Sequence, residues 1–591
     1  MIKKKKPFLL LLGVAALLIG GGLTAYWVMI KRKPVVGLPP GANLIPRDAS
    51  FALTLSTEPN QWQQLRTFGT PQTQAAFGRS LAHLRDRFLA SNGYNYQRDI
   101  QPWAGKQVTF AYLPTGETNS TQPSSTLTPP GNNSTQHSVV MILPIDDPLQ
   151  AKQALEPINS PLQQGKWVSR VYKGIEIKET KTGDALNIAS TQYSATVLDR
   201  RFLVVTTNPK ATERIIDTSQ SSESLANTPG FSEAWGKIET RPFARIFINV
   251  PIAAAAARNS QPQISSAGLA QIQQQGLAAT MTIKPDGLLF KSISWLQPNS
   301  EKKYAVKNEA GKMSNRLPAN TLMMMSGGNL QRFWQDYIQG AESNPLTPFK
   351  PEQIRSSIKK FTNLELEKDL LSWMAGEFSL SLVPFPSISS TGENQQVGNQ
   401  APGLVFMIKA SDRAIAQKTI QQIERVMSSQ NNFKIEQSTI GNTPVTNWIA
   451  PNQGLIITQG WLDDNVAFLA LGGAVTWAIL PPPKTTLAQS DRYNTVPLEL
   501  NPNNGHFYLD VERLGVDSTA RLLTFLFQLS NDPNTQKTIT NQLLPIRGIG
   551  VTAAVSDERS TRFDIFVSLK RAGTPKPLPS PTPEQFSQPS L

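Results

Sequence analysis

The chain has 591 residues, 39% of them apolar and 8% aromatic, enough to fill real cores and too many for a disordered protein. It contains no cysteine, which excludes disulfides, thiolate nucleophiles, iron–sulfur clusters and cysteine zinc sites. The formal charge is +14, but seven positives fall in residues 1–33, which hold no acid; the remaining +7 is spread over 558 residues without a dense basic run, which argues against a nucleic-acid partner.

The N-terminus reads as a membrane anchor. Phe8 to Ile30 runs 23 residues without a charge and as a helix spans roughly 34 Å. Tyr26 and Trp27 stand near its far end, where amphipathic rings prefer the interface. Lys3–Lys6 with the amino terminus outweigh Lys31, Arg32 and Lys33, so residues 1–7 are expected in the cytoplasm and the bulk on the periplasmic or lumenal side. The apolar run is longer than that of a signal peptide and lacks a small-x-small cleavage site, so it is read as an uncleaved single-pass anchor. Ala16, Gly20 and Thr24 form a small-residue stripe, the spacing that lets two such helices pack closely, although small residues are common in such helices without that role.

A spacer, 31–43, leads to a first lobe expected over 44–300. Leu44-Ile45-Pro46-Arg47-Asp48-Ala49 opens it, and Ser50–Leu55 alternates like a half-buried strand. Gln61 to Leu89 has helical apolar spacing broken near Gly69-Thr70-Pro71. The turn Asp99-Ile100-Gln101-Pro102-Trp103-Ala104-Gly105 precedes a strand at Val108–Leu113. Residues 115–138 are low-complexity and expected to be flexible. Beyond them come a strand at Val139–Leu143, a helix after Asp146-Asp147-Pro148, and strands at Trp167–Ile177, Ala185–Ile188 and Tyr193–Thr206, with turns at Gly174, Gly183 and Asp199-Arg200. A helix at Pro209–Ile216, a strand at Ala244–Val250, an Ala-rich helix from Pro251 and a hairpin over Leu277–Leu296 complete the lobe.

The same order then returns over 301–570. Asn315–Met325 matches the opening, and Phe333, Trp334, Tyr337 and Ile338 echo the first helix. Asp369-Leu370-Leu371-Ser372-Trp373-Met374-Ala375-Gly376 repeats the tryptophan turn with one more residue before its glycine, and a low-complexity insert, 385–402, sits at the same place. Leu404–Ile408 matches the strand at 139, with Asp412 on Asp146 and Lys418 on Lys152. Gly441 falls on Gly174, Asp463 on Asp199, Phe507–Val511 on Ile246–Val250, and Ile549–Val555 with Phe563–Leu569 on the closing hairpin. The expected fold is therefore α+β: two duplicated lobes, each a mainly antiparallel sheet with helices packed on one face, after one N-terminal transmembrane helix. Residues 571–591, rich in proline, are expected to form a disordered tail.

The opening Leu44–Ala49, the Trp103-Ala104-Gly105 turn and the Asp199-Arg200 strand-turn-strand pattern resemble a cyanobacterial, membrane-anchored family known as domain of unknown function 3352. The resemblance covers about residues 40–570. It implies export and the duplication, and brings no catalytic residue to carry over.

No constellation in the sequence carries chemistry. His83 lies on an amphipathic helix, His137 in the first insert and His506 at a strand start; none has a partner at metal-ligand spacing, so each is read as structural or solvent-facing. Asp146-Asp147 and Asp463-Asp464 fit a helix start and a hairpin turn better than a divalent-ion site. Gly20-Gly21-Gly22, Gly327-Gly328 and Gly472-Gly473 lack the Lys-Ser/Thr ending of a phosphate loop. Trp103 and Trp373 are read as core residues locking their turns, rather than as exposed anchors for a ligand. No catalytic, cofactor-binding or metal residue is assigned. The leading expectation is a non-enzymatic, membrane-anchored extracytoplasmic scaffold or binding protein, with an envelope or thylakoid protein or lipid as partner. A carrier of a lipid or other apolar ligand in a sheet-lined groove is the alternative, and an uncharacterised envelope hydrolase the third reading.

Overall fold

The computed structural model describes residues 38–88, 95–114, 138–155, 167–180, 193–238, 241–258, 274–305, 307–343, 350–385, 402–451, 454–463, 465–496, 500, 502–526 and 532–579. The expected anchor at 8–30, nearly all of both low-complexity inserts, His137, Asp464 and the strand expected at Ala185–Ile188 lie outside them. Among the described residues no helix is long and apolar enough to cross a membrane. The described chain is α+β and divides into two compact units. The first runs up to Ile283 and takes Lys291–Glu301 and the residues from Arg571 on; the second takes Lys284–Phe290 and Lys302–Lys570.

The first unit is built on strands β1 (Phe51–Ser56), β2 (Gln107–Leu113), β3 (Ser138–Pro144), β4 (Trp167–Tyr172), β5 (Ile175–Thr180), β6 (Ser194–Leu198), β7 (Phe202–Thr206), β8 (Ala244–Asn249), β9 (Gln274–Lys284) and the end of β10 (Gly287–Leu296), whose residues 287–290 fall in the second unit. They pair in the order β4-β5-β6-β7-β3-β2-β1-β8-β9, antiparallel throughout. Asp199 and Arg200 hold φ of 52° and 55° in the β6–β7 turn, the left-handed pair whose twist suits a two-residue hairpin. Its helices are α1 (Pro59–Arg66), α2 (Pro71–Phe88), α3 (Pro148–Leu155), α4 (Pro209–Ser219), α5 (Phe231–Gly236) and α6 (Val250–Arg258). The break expected near Gly69 separates α1 from α2, where Pro71 restarts the helix with its φ already set.

The first core joins Ile45, Ile142, Ile177, Ile215, Phe231 and Phe247. Phe231 meets Phe247 edge-on at 5.1 Å, a favoured aromatic geometry. The opening segment is part of this core: Arg214 Nη2 donates to both carboxylate oxygens of Asp48 at 2.7 Å, and Leu225 N–H donates to the Ile45 carbonyl. β1 is not the half-buried strand its alternation suggests. Ala52, Leu53 and Thr54 are consecutive and all buried, because both faces of the strand are covered.

The second unit is built on β11 (Met323–Gly327), β12 (Phe378–Val383), β13 (Gly403–Lys409), β14 (Lys434–Ile440), β15 (Thr443–Ile449), β16 (Ile456–Trp461), β17 (Val466–Leu471), β18 (Gly505–Leu509), β19 (Ile546–Asp557) and β20 (Ser560–Leu569). Their order is β14-β15-β16-β17-β13-β12-β11-β18-β19-β20, again antiparallel. The helices are α7 (Leu330–Ser343), α8 (Pro351–Thr362), α9 (Arg413–Ser429), α10 (Val516–Leu526) and α11 (Pro533–Leu543), besides shorter turns. Alternate residues feed two different cores: Met323 and Leu509 join one, Met324 and Tyr508 another. Since neighbouring side chains on a strand point to opposite faces, this sheet is covered on both sides, not on one as expected.

Each tryptophan turn, Trp103-Ala104-Gly105 and the one-residue-longer Trp373-Met374-Ala375-Gly376, follows a single π-helical turn, Tyr96–Ile100 in the first unit and Leu366–Leu370 in the second. Trp103 is 1% exposed and its indole N–H donates to the Asp99 carbonyl at 2.6 Å; Trp373 is 2% exposed. Both are core residues, as read. Immediately after the second turn, Glu377 is buried and its Oε1 accepts the backbone N–H groups of Gly311, Lys312 and Met313 at 2.8, 2.7 and 3.2 Å. Glu377→Ala leaves those three donors without this acceptor, and the expected cost is about 2–4 kcal/mol in urea unfolding, with Glu377→Gln in between. Equal stability of the alanine variant and the native chain would show that the loop is held by something else.

The C-terminal residues depart from the expected disordered tail. Residues 571–579 are placed on the first unit, where Ala572 N–H donates to the Thr67 carbonyl at 2.9 Å and Gln74 Nε2 to the Gly573 carbonyl at 3.1 Å. Arg66 adds a hydrogen bond to the Lys576 carbonyl. A proline-rich sequence carries no apolar periodicity to announce such a contact, which rests on backbone carbonyls.

Candidate functional site

The residues considered for chemistry are dispersed. His83 is exposed on α2. Asp147 Oδ1 accepts from Leu149 and Gln150 N–H at 3.0 Å as a helix start, and Asp463 Oδ1 accepts from Asn465 and Val466 N–H in the β16–β17 turn. Gly327 allows Phe378 to lie against the backbone: a Cβ there would sit 2.6 Å from its ring. Among the described residues no three His, Asp or Glu side chains gather as a metal site would require.

One site in the second unit does stand out, and it gathers around a residue that gave no sequence signal of its own. α7 lies over the sheet with Trp334, Tyr337 and Ile338 in one cluster and Phe333 in another. Asp336 stands three residues after Phe333, so helical geometry turns it towards the sheet rather than to solvent. It is 5% exposed. Among the described residues its carboxyl has neither a hydrogen bond nor an ion pair, and burial pushes its pKa up to about 8. It lines a cavity of about 50 Å³ together with Phe333, Phe378, Phe507, Val551 and Arg332.

His506 also borders this cavity, yet its ring belongs to the other face of the sheet. Phe507 packs with Leu509 on the Asp336 side, while His506 alternates with it and shares the face of Tyr508. There its Nδ1 lies 3.4 Å from Thr552 Oγ1, and burial pushes its pKa down to about 4. The carboxyl is therefore protonated and the imidazole neutral at pH 7. The two groups are not a catalytic dyad, since the sheet separates them.

A different surface feature lies on the first unit. Val171 on β4 is 71% exposed and Val197 on β6 is 43% exposed. The pairing of Val171 with Glu176 sets these side chains on the solvent face of the β4–β5–β6 layer, opposite buried Ile177 and Leu198. β4 has β5 as its one strand partner among the described residues, which makes it an edge strand among them.

No curated protein matches the sequence. Solved structures that match include two crystal forms of TP0453. Form III has 11% identity and a TM-score of 0.23, covering 46% of this chain and 82% of that one. Form IV has 12% identity and a TM-score of 0.24, covering 44% and 82%. Similarity at that level carries no argument about fold or role. Residues 11–569 match the family described as "Protein of unknown function (DUF3352)", nearly the whole chain, and the protein belongs to that family.

Proposed function

We propose that the protein is a membrane-anchored, non-enzymatic scaffold or binding protein whose bulk lies on the periplasmic or lumenal side, in which one folding unit has been duplicated. The duplication is supported by strand register. Phe51 opposes Tyr112 and Ile248, as Met323 opposes Leu382 and Leu509, with offsets of 272, 270 and 261. The offset pairs hold in the outer hairpins too: Lys178 opposes Ala195 and Thr446 opposes Gln459. Two π-helical turns at an offset of 270 add weight, because such turns are rare. Two correspondences shift by a residue. Asp412 caps α9 through Ile415 N–H as Asp147, not Asp146, starts α3; and Gly441 occupies the turn position of Lys173, not Gly174.

The binding reading rests on the exposed Val171 on β4, an edge strand among the described residues, with Val197 two strands in on the same face; such an edge is of the kind that accepts an extended peptide as an added strand. Native mass spectrometry of the full-length protein, gently extracted from its membrane, tests it. A retained protein partner that is lost from Val171→Asp supports the scaffold. A stoichiometric lipid-sized adduct would move the assignment to the carrier, and a bare chain would remove the support for either. The anchor has its own test: deleting residues 1–33 should move the protein from the membrane fraction to the supernatant, and continued sedimentation with membranes would overturn the anchor.

A further inference from the structure

The Asp336 cavity has no place in the scaffold reading and is independent of it. A buried carboxyl without a partner is costly, and such groups are retained where something compensates them. The cavity, about 50 Å³, holds on the order of one to three water-sized bodies, too few for a sugar or an amino acid. Its lining includes Phe333, Phe378 and Phe507, the first two with ring centroids 5.5 Å apart, beside the neutral polar residues Ser326, Asn329 and Asn504. One carboxyl among phenyl rings matches a compact organic cation, which gains from the ring faces as well as from the charge. A divalent ion demands several oxygen ligands, and here a single carboxylate is offered.

An anion fits less well, although Arg332 lies at the same cavity and α7 begins there. The first N–H groups of α7 are already taken. Leu330 donates to the Gly376 carbonyl, Gln331 to the Met374 carbonyl, and Arg332 and Phe333 to the side chain and carbonyl of Asn329. The charged or titratable side chains that border the cavity are Asp336 and Arg332 on α7 and His506 on β18, whose ring faces away; the bordering residues of β11, β12 and β19 carry none. Arg332 stands four residues from Asp336 yet forms no ion pair with it.

We propose that the cavity beneath α7 binds a small monovalent cation of the ammonium type, ammonium itself or a methylammonium head, with the Asp336 carboxylate as its counter-ion. Binding then requires Asp336 to give up its proton to solvent, so affinity rises with pH. Arg332 opposes the bound charge and weakens binding.

Isothermal titration of the full-length, detergent-solubilised protein with methylammonium chloride, against sodium chloride at matched ionic strength, tests this. The apparent affinity should be about a hundredfold weaker at pH 6 than at pH 9, because about 1% of the carboxyl is ionised at the lower pH. Asp336→Asn, an isosteric change whose fold is checked by circular dichroism, should abolish the signal, and Arg332→Gln should strengthen it. Methylammonium binding that survives Asp336→Asn, or that does not change with pH, overturns the proposal. So does acetate binding that disappears in Arg332→Gln, which would make the cavity an anion site.

Discussion

Asp336→Asn should stabilise the second unit by about 4–6 kcal/mol at pH 8 as an upper bound, and should flatten its pH dependence. The carboxyl's folded pKa, about 8, lies above its unfolded value of 3.8, so the folded unit keeps a proton that the unfolded chain releases. Stability from this group is fully present below pH 4 and falls by about 1.4 kcal/mol per pH unit as pH rises towards 8, beyond which both states are ionised and the loss stops. His506 has the opposite sign. Its folded pKa, about 4, lies below its unfolded value of 6.5, so stability is full above pH 6.5 and is lost as pH falls towards 4. Between pH 4 and 6.5 the two slopes cancel, and the native chain should show a plateau there followed by a decline up to pH 8. Thermal midpoints across pH 4–9 read this directly. In Asp336→Asn the decline should vanish and the acid side should fall; in His506→Asn the decline should begin near pH 4. A native profile without a break near pH 6.5, or one that Asp336→Asn leaves unaltered, would mean that these two groups do not carry the titration.

That asymmetry explains how much could be read in advance. Strand positions and their order followed from alternation and turn residues, and β3, β7, β8 and β13 stand within about a residue or two of where the pattern put them. In the Asp199-Arg200 hairpin only Asp199 is of a type that tolerates a left-handed φ; Arg200, at φ 55°, carries no such signal. Coverage of both sheet faces was less legible: β11, with Met323, Met324 and Met325 in succession, has no polar face to betray which side is solvated, and neither side is. The π-helical turns have no sequence signature, as one extra residue per turn depends on local packing rather than on residue type. Asp336 was invisible for a simpler reason. An aspartate on an amphipathic helix reads as part of the wet face, and only its three-residue spacing from Phe333 hinted otherwise.

The two tryptophan turns, legible in sequence, are where a single methyl group should do the most damage. Gly376→Ala is expected to destabilise the second unit by more than about 3 kcal/mol, because its Cβ would overlap the backbone carbonyl of Lys409, which has no side-chain freedom with which to move away. Lys409 is the last residue of β13, and its N–H donates to the Glu377 carbonyl at 2.8 Å, so yielding there strains the junction from which Trp373 and Glu377 both hang. Gly105→Ala should cost less, about 1–3 kcal/mol, since its Cβ would meet Pro144 Cβ at 2.8 Å, a milder overlap than that with the Lys409 carbonyl. Gly441→Ala serves as the control for backbone conformation alone: its φ is +60° and nothing lies within 4 Å of a Cβ, so a loss of about 1 kcal/mol is expected. Differential scanning calorimetry of the three variants beside the native chain ranks the losses. If Gly376→Ala proved no worse than Gly441→Ala, steric closure of the turn would not be what the glycine provides, and the turn's place in both units would need a different physical reason.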